Sequence, residues 1–285
     1  MYQKIREPVE NDFHEVNKFI VEQLHSEVSL VESIGHYIVE AGGKRMRPIL
    51  VLLAARGNGI ENDLHIPMAA VIEFIHTATL LHDDVVDMSE LRRGRPTVNA
   101  EWNNPSSVLV GDFIYSRDFQ VLVQIADMRI MEIIANTTNR IAEGEVLQLI
   151  EKSNPQTSEE NYMRVITNKT AILFQAAAQC GAILSKSDSE IEEALRSFGM
   201  QLGLAFQLID DVLDYSGTAD ELGKNVGDDL SEGKSTLPLI YASKNGSTAQ
   251  RKVILESLNA KKLTKGILDN VIEICLLYTS DAADE

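Results

Sequence analysis

The stretch of sequence that decides the fold is IEFIHTATLLHDDVVDMSELRRGRPT, residues 72–97. Residues 72–81 carry apolar side chains around most of a helix, which is typical of a helix at the centre of a bundle. The run then ends in Asp83, Asp84 and Asp87. Residues four apart share one helix face, so Asp83 and Asp87 point the same way. Charged groups that close a buried helix need a chemical reason.

A second acidic cluster repeats the DDxxD spacing. Asp210, Asp211 and Asp214 close another apolar run, residues 202–209. Neighbouring carboxylates repel one another, and burial would raise their pKa values. A magnesium ion removes both problems, because it prefers oxygen ligands and leaves room for water and phosphate. One such cluster could be a solvated helix end, but two of them predict facing Mg²⁺ sites that clamp a diphosphate.

Most of the remaining chain reads as helix. Apolar residues recur at spacings of three and four along it, while alternating strand patterns are scarce. The segments with this spacing are 16–30, 48–55, 68–81, 107–125, 131–150, 161–182 and 190–215. No stretch has the composition of a domain linker. The sequence therefore predicts an all-α fold in one domain.

Composition excludes several classes of function. The 285 residues carry a net charge of −17, which argues against nucleic acid as a partner. No apolar run approaches the roughly 20 residues of a membrane span, and the N-terminus lacks the apolar core of a signal peptide. The two cysteines, Cys180 and Cys275, do not suggest a disulfide framework. We expect a cytoplasmic protein with no integral membrane span.

Basic residues accompany the acidic clusters. Arg92 and Arg93 follow Asp87, and Lys44 and Arg47 lie in GGKRMRP, residues 42–48. Paired glycines let the backbone turn closely around an anion, and arginine grips phosphate with two parallel hydrogen bonds. Each basic residue alone would most often be a solvated surface residue, and the glycine pair alone would be a common turn. Their coincidence with two carboxylate clusters predicts a diphosphate site.

Together these motifs resemble the trans-polyprenyl diphosphate synthase family over residues 10–260. The matching segments are GGKRMRP (42–48), residues 72–97 quoted above, VGDFIYS (110–116), IAEGEVLQL (141–149), NKTAILF (168–174), AFQLIDDVLDYSG (205–217) and LGKNVGDDLSEGKSTLPLIYA (222–242). The likeness is greatest to bacterial members that make octaprenyl diphosphate for the quinone side chain. It implies an isoprenoid synthase-type helical bundle around a central cavity, and a homodimer.

The resemblance also implies a role for individual residues. Both aspartate motifs would be catalytic. The Mg²⁺ ions on the allylic diphosphate would be held by Asp83, Asp84, Asp87, Asp210 and Asp214. Asp211 completes the second motif. The allylic diphosphate, of farnesyl type, would also contact Arg92, Lys169, Thr170, Gln207 and Lys224. The second substrate, isopentenyl diphosphate, would be bound by Lys44, Arg47, His76 and Arg93.

Product length is predicted from the residues that precede Asp83 on its helix. In the family, bulky aromatic side chains four or five positions before the first aspartate give short products. Here those positions are Thr79 and Ala78, which are small, and Ile75 lies eight before. We therefore expect an open tunnel and a long product of octaprenyl class.

The last residues depart from the family pattern. The spacing in residues 275–285 predicts a loss of helical periodicity, and these residues are similar to a translated sequencing adapter. We expect a polyprenyl synthase domain over residues 1–274, truncated at its C-terminus, followed by a non-native tail that begins at Cys275.

Three other functions share part of this pattern. A class I terpene cyclase has the same fold, but usually replaces the second DDxxD and lacks the GGKRxRP segment. A non-catalytic regulatory subunit of a heteromeric prenyl synthase typically loses aspartates from one motif, whereas all six are present here. A metal-binding scaffold without substrate would leave Lys44, Arg47 and Arg93 unexplained.

Overall fold

The structure is a computed structural model that describes residues 2–216, 226–258, 260 and 263–281. Within these ranges the regular structure is helical apart from two short strands, β1 (Leu91–Arg92) and β2 (Arg95–Pro96), which confirms the all-α prediction. The helices are α1 (Tyr2–Arg6), α2 (Glu10–Gln23), α3 (Ser29–Glu40), α4 (Met46–Gly57), α5 (His65–Val86), α6 (Val98–Glu101), α7 (Asn104–Ile125), α8 (Met128–Glu151), α9 (Glu159–Ile166), α10 (Ile172–Leu184), α11 (Ser189–Ser216), α12 (Asp228–Ser231), α13 (Leu237–Asn245), α14 (Thr248–Leu258) and α15 (Lys265–Asp281). None of the helices described is both long and apolar enough to cross a bilayer.

The chain divides into two compact units. The first consists of Met1–Asn139 and Ile172–Leu202, and the second of Arg140–Ala171 and Gly203–Glu285. Such units can belong to one domain, so the single domain over residues 1–274 stays a prediction.

Helix α5 is the centre of the first unit. It packs against α2, α4, α7 and α10. Its residues from Met68 to Ile72 have no exposed surface. A helix that is apolar on most faces must be covered on most faces, because exposed apolar area is unfavourable in water. The sequence therefore placed α5 correctly at the centre of a helical core.

A tight hairpin returns the chain to the end of α5. Strands β1 and β2 are antiparallel, with Arg92 opposite Arg95. The two residues between them, Arg93 and Gly94, have φ values of 54° and 74°. A two-residue turn of type I′ requires positive φ at both positions, which glycine adopts without cost. This turn carries Arg92 and Arg93 back alongside the acidic motif.

Helices α12–α15 build a core in the second unit from Leu230, Leu239, Ile254, Val271 and Cys275, among others. Helix α15 continues to Asp281, so the expected break in helical pattern at residue 275 is wrong. Val271 and Cys275 face the same core, and their four-residue interval is the spacing of side chains on one helix face. The non-native origin of residues 275–285 stays a prediction.

Two predicted helices are interrupted. The segment 16–30 ends as a helix at Gln23, and α3 begins only at Ser29. The segment 161–182 is divided by a π-helical turn, Thr167–Ala171, between α9 and α10. Periodicity did not reveal the π turn, because the segment is apolar on most helix faces and a one-residue change of phase leaves little trace in such a pattern.

Candidate active site

The three carboxylates of the first motif have different environments. Asp84 is buried, and its two oxygens accept hydrogen bonds from Arg92 at Nε–Oδ1 2.9 Å, Nη2–Oδ1 2.7 Å and Nε–Oδ2 3.2 Å. Burial raises the pKa of Asp84, and the Arg92 guanidinium opposes that shift. Asp83 and Asp87 are partly exposed. Asp84 therefore accepts hydrogen bonds from an arginine, and Asp83 and Asp87 have the four-residue spacing of one helix face.

Arg47 and His76 meet beneath the motif. Arg47 Nη1 lies 3.4 Å from His76 Nε2, and the guanidinium stands 4.3 Å from the centre of the Phe174 ring. Burial, together with the charges of Arg47 and Arg93, holds the pKa of His76 well below its usual range. Because arginine only donates, the neutral imidazole accepts at Nε2. A cation over an aromatic face is favourable, so Phe174 helps to fix Arg47.

The glycine pair brings two basic segments together. Arg93 Nη1 donates a short hydrogen bond to the Gly42 carbonyl. A Cβ atom at Gly43, whose φ is 146°, would lie 2.5 Å from Arg93 Nη1. Lys44 follows on the exposed side of this turn. Glycine is therefore favoured here by its backbone conformation, and its lack of a side chain leaves room for the Arg93 guanidinium.

Residues of the second motif belong to a separate hydrogen-bond chain. Thr170 Oγ1 donates to Gln207 Oε1 at 2.8 Å, and Gln207 Nε2 donates to Asp211 Oδ1 at 2.7 Å. Tyr162 Oη donates to Asp211 Oδ2 at 2.6 Å. Burial raises the pKa of Asp211 to about 7, although both hydrogen bonds act to lower it. The predicted residues Thr170, Gln207 and Asp211 are thus brought together.

The other two aspartates of this motif also differ from each other. Asp214 has no exposed surface, and its Oδ2 accepts from the backbone N–H of Asp229 at 3.2 Å. Asp210 is partly exposed. Asp210 is therefore the more accessible of the two.

The π turn places Lys169 beside helix α8. Lys169 Nζ lies 2.6 Å from Glu145 Oε2 and 2.8 Å from Gln148 Oε1. Glycines make this close packing possible, since a Cβ at Gly144 would lie 2.8 Å from the Lys169 backbone nitrogen. Lys224, which was predicted beside the same diphosphate, lies outside the described residues.

The exposed carboxylates suit a magnesium ion. No three His, Cys, Asp or Glu side chains converge as a ready-made metal cage within the part of the chain that is described. Magnesium is usually held by one or two carboxylates, with water and substrate phosphates completing the shell. Asp83 and Asp87 in the first unit and Asp210 in the second are partly exposed carboxylates, and Asp84 and Asp211 accept hydrogen bonds at both oxygens.

The residues predicted to set product length lie on another part of α5. Ile75 and Ala78 are fully buried, and the Thr79 hydroxyl donates to the His76 carbonyl at 2.8 Å. None of the three lines the cavity that His76, Thr77 and Leu80 line. Their role in product length stays a prediction.

Sequence reasoning missed several residues that contact the predicted ones or their immediate neighbours in sequence. They are Glu73, Tyr162, Phe174, Glu145, Gly144 and Gly203. Glu73 carried a usable signal, because a glutamate inside an apolar helical run requires a partner. The others carried none, since their importance depends on contacts between distant segments.

Comparison with known proteins identifies the family. Residues 28–275 match the profile described as polyprenyl synthetase. The chain is 50% identical to the octaprenyl diphosphate synthase of Escherichia coli over 288 residues, 99% of this chain and 89% of that protein. It is 53% identical to the Haemophilus influenzae octaprenyl diphosphate synthase over 278 residues, covering 98% and 83%. A crystal structure of polyprenyl synthase from Caulobacter crescentus, complexed with calcium and isoprenyl diphosphate, has a TM-score of 0.96 and 41% identity, covering 99% of this chain and 86% of that one. With most of its length matched, this chain belongs to the polyprenyl synthetase family.

Proposed function

We propose that this protein is a trans-prenyltransferase that adds isopentenyl diphosphate repeatedly to a farnesyl-type allylic diphosphate. Its product would be an all-trans diphosphate of octaprenyl class, for quinone side chains. The observation that carries the proposal is the first unit's pairing of partly exposed Asp83 and Asp87 with a basic pocket of Arg47 and Arg93. The first unit therefore contains both carboxylates that suit a divalent cation and hydrogen-bond donors that suit a diphosphate. The names of the E. coli and H. influenzae relatives support the product class.

In this proposal the basic side chains have two tasks. Arg92 and Lys169 donate to the departing diphosphate, where negative charge builds up as the allylic C–O bond breaks. Lys44, Arg47 and Arg93 hold the diphosphate of isopentenyl diphosphate, so that its double bond faces the allylic carbon. The electrons of that double bond form the new C–C bond, and the released pyrophosphate accepts the proton that is then lost.

Magnesium ions held by the aspartate motifs would neutralise charge on the allylic diphosphate, with ligands from Asp83, Asp84, Asp87, Asp210 and Asp214. Asp84 holds Arg92 and Asp211 holds Gln207, so these two carboxylates also orient hydrogen-bond donors. The apolar residues of α5 exclude water, which would otherwise capture the allylic cation.

Two of the alternative functions, a terpene cyclase and a regulatory subunit, have less support. Neither a class I terpene cyclase nor a non-catalytic subunit is favoured by the relatives named above. The first unit also keeps Arg47, Arg93 and His76 assembled. These groups suit a second diphosphate substrate, which a cyclase does not use.

The proposal includes a homodimer in the cytoplasm. On α7, Leu109 and Val123 are 66% and 67% exposed, and a second copy would remove such apolar surface from water. Cys180 and Cys275 are free thiols, which fits a reducing compartment. Sedimentation equilibrium should give twice the monomer mass, and a monomer at all concentrations would refute this part.

Incorporation of labelled isopentenyl diphosphate tests the function. Asp83→Asn should reduce it by roughly 10²-fold or more in the presence of Mg²⁺. Asp63→Asn is the matched control, because Asp63 is exposed and precedes the first residue of α5, at the far end of the helix from Asp83. Equal incorporation by the two variants would contradict the proposed metal site.

A further inference from the structure

A glutamate that the proposed reaction does not use is buried in α5. Glu73 is 8% exposed, while its neighbours Ile72 and Phe74 are fully or almost fully buried. A carboxylate in an apolar interior is costly unless opposite charge lies nearby. The position of Glu73 therefore points to the cationic groups around it.

The nearest of those groups is Arg45. Its Nε lies 3.7 Å from Glu73 Oε1, and only about a tenth of each side chain is exposed. Arg45 has φ 44° and ψ 45°, a left-handed conformation that is unfavourable for a residue with a Cβ atom. Attraction to Glu73 offsets that cost and fixes the end of the 42–45 turn. The separation is too long for a hydrogen bond, so the interaction depends on charge.

Glu73 also acts on the two arginines of the isopentenyl diphosphate pocket. Burial lowers the pKa of Arg47 to about 10, and the Glu73 charge opposes that shift. Burial lowers the pKa of Arg93 in the same way, again opposed by Glu73. Three guanidinium groups and one carboxylate leave two positive charges, which suits a diphosphate. Arg45, Glu73, His76 and Arg93 line one cavity.

We propose that Glu73 is a positioning residue for isopentenyl diphosphate: through Arg45 it holds the 42–45 turn in place, and its charge offsets the mutual repulsion of the nearby arginines. This inference rests on the proposed function for the identity of the ligand. Glu73 itself does not contact the reacting atoms.

Glu73→Gln is the decisive variant, because it keeps the shape and removes the charge. We expect the Kd and KM for isopentenyl diphosphate to rise roughly tenfold, with the KM for the allylic diphosphate within about twofold of wild type. Glu73→Asp should recover most of the affinity. Glu40→Gln is the matched control, since Glu40 lies 3.9 Å from Arg95 but its side chain is 69% exposed.

Calorimetric titration of the purified full chain with isopentenyl diphosphate separates this inference from the proposed function. If wild type makes no product, the proposed function fails, and the Kd values still decide the role of Glu73. Unchanged or tighter binding by Glu73→Gln would overturn the inference, as would the absence of binding to wild type. Loss of folding in both Glu73 variants would also overturn it, because Glu73 would then serve the fold.

Discussion

Replacement of Gly203 by alanine puts a methyl group against the π turn that carries Lys169. A Cβ at Gly203 would lie 2.6 Å from the Ala171 Cα, whereas ordinary contact begins at 3.4 Å. The difference, 0.8 Å, is the least distance by which α11 and the turn must separate. Overpacking of this kind costs about 2 kcal/mol, or roughly 4–8 °C in Tm for a chain of this size.

The same displacement should reach the proposed substrate site. Thr170 is adjacent to Ala171 and donates to Gln207 at 2.8 Å. A misplacement near 1 Å can cost about 10²-fold in rate, so we expect kcat/KM for the allylic diphosphate to fall roughly 10- to 100-fold. Steady-state kinetics and thermal melts followed by circular dichroism measure the two effects.

Gly266→Ala is the control for this experiment. Nothing lies within 4 Å of a Cβ at Gly266, which is the second residue of α15. Alanine there should leave stability unchanged or raise it by up to about 1 kcal/mol, because it is the better helix former. If Gly203→Ala matched this control in Tm and matched wild type in kcat/KM, the packing of the π turn would not position Lys169 and Thr170.

Three further substitutions test other parts of the structure. Burial raises the pKa of Asp118 well above its usual range, so the stability that protonated Asp118 allows is present below the ordinary aspartate pKa and is lost as the pH rises. Asp118→Asn should therefore raise Tm at pH 7 and have little effect on Tm near pH 4. Equal shifts of Tm at both pH values would contradict this. Tyr162→Phe removes the hydrogen bond to buried Asp211 and should cost about 2 kcal/mol in chemical unfolding, whereas Tyr241→Phe, at a residue 42% exposed, should cost almost nothing. Ala78→Phe should shorten the products seen by chromatography if the chain grows past α5, and unchanged lengths would refute the tunnel.

Sequence alone predicted what depends on local spacing. The apolar run before Asp83 predicted a buried helix, and α5 is buried on most faces. The interval from Asp83 to Asp87 predicted a shared helix face, and both side chains are partly exposed. These features follow from helix geometry and from the burial of apolar surface, which a single segment determines.

Side-chain contacts between segments far apart in the sequence could not be predicted from local spacing. Asp84 accepts hydrogen bonds from Arg92, which a hairpin with two left-handed residues returns to α5, and its role as a magnesium ligand stays a prediction. The environment of Asp211 depends on Tyr162, which is 49 residues away. Spacing along the chain does not encode which side chain of another segment contacts a given carboxylate, so these hydrogen bonds needed the structure.

The helical extent of the last residues shows a different limit. The sequence after residue 274 lacks long apolar runs, and it therefore resembles a frayed tail. Val271, Cys275 and Tyr278 nevertheless lie on one side of α15 and pack against the core of the second unit. Short segments with few apolar residues can be ordered by a core that lies elsewhere in the sequence.

The most direct test is the size of the product. The purified chain should be incubated with farnesyl diphosphate, an excess of labelled isopentenyl diphosphate and Mg²⁺, and the dephosphorylated products separated by chain length. The proposed function predicts a main product of octaprenyl class and none when the metal is chelated. Recovery of unextended farnesol, or of a cyclic hydrocarbon, would contradict it.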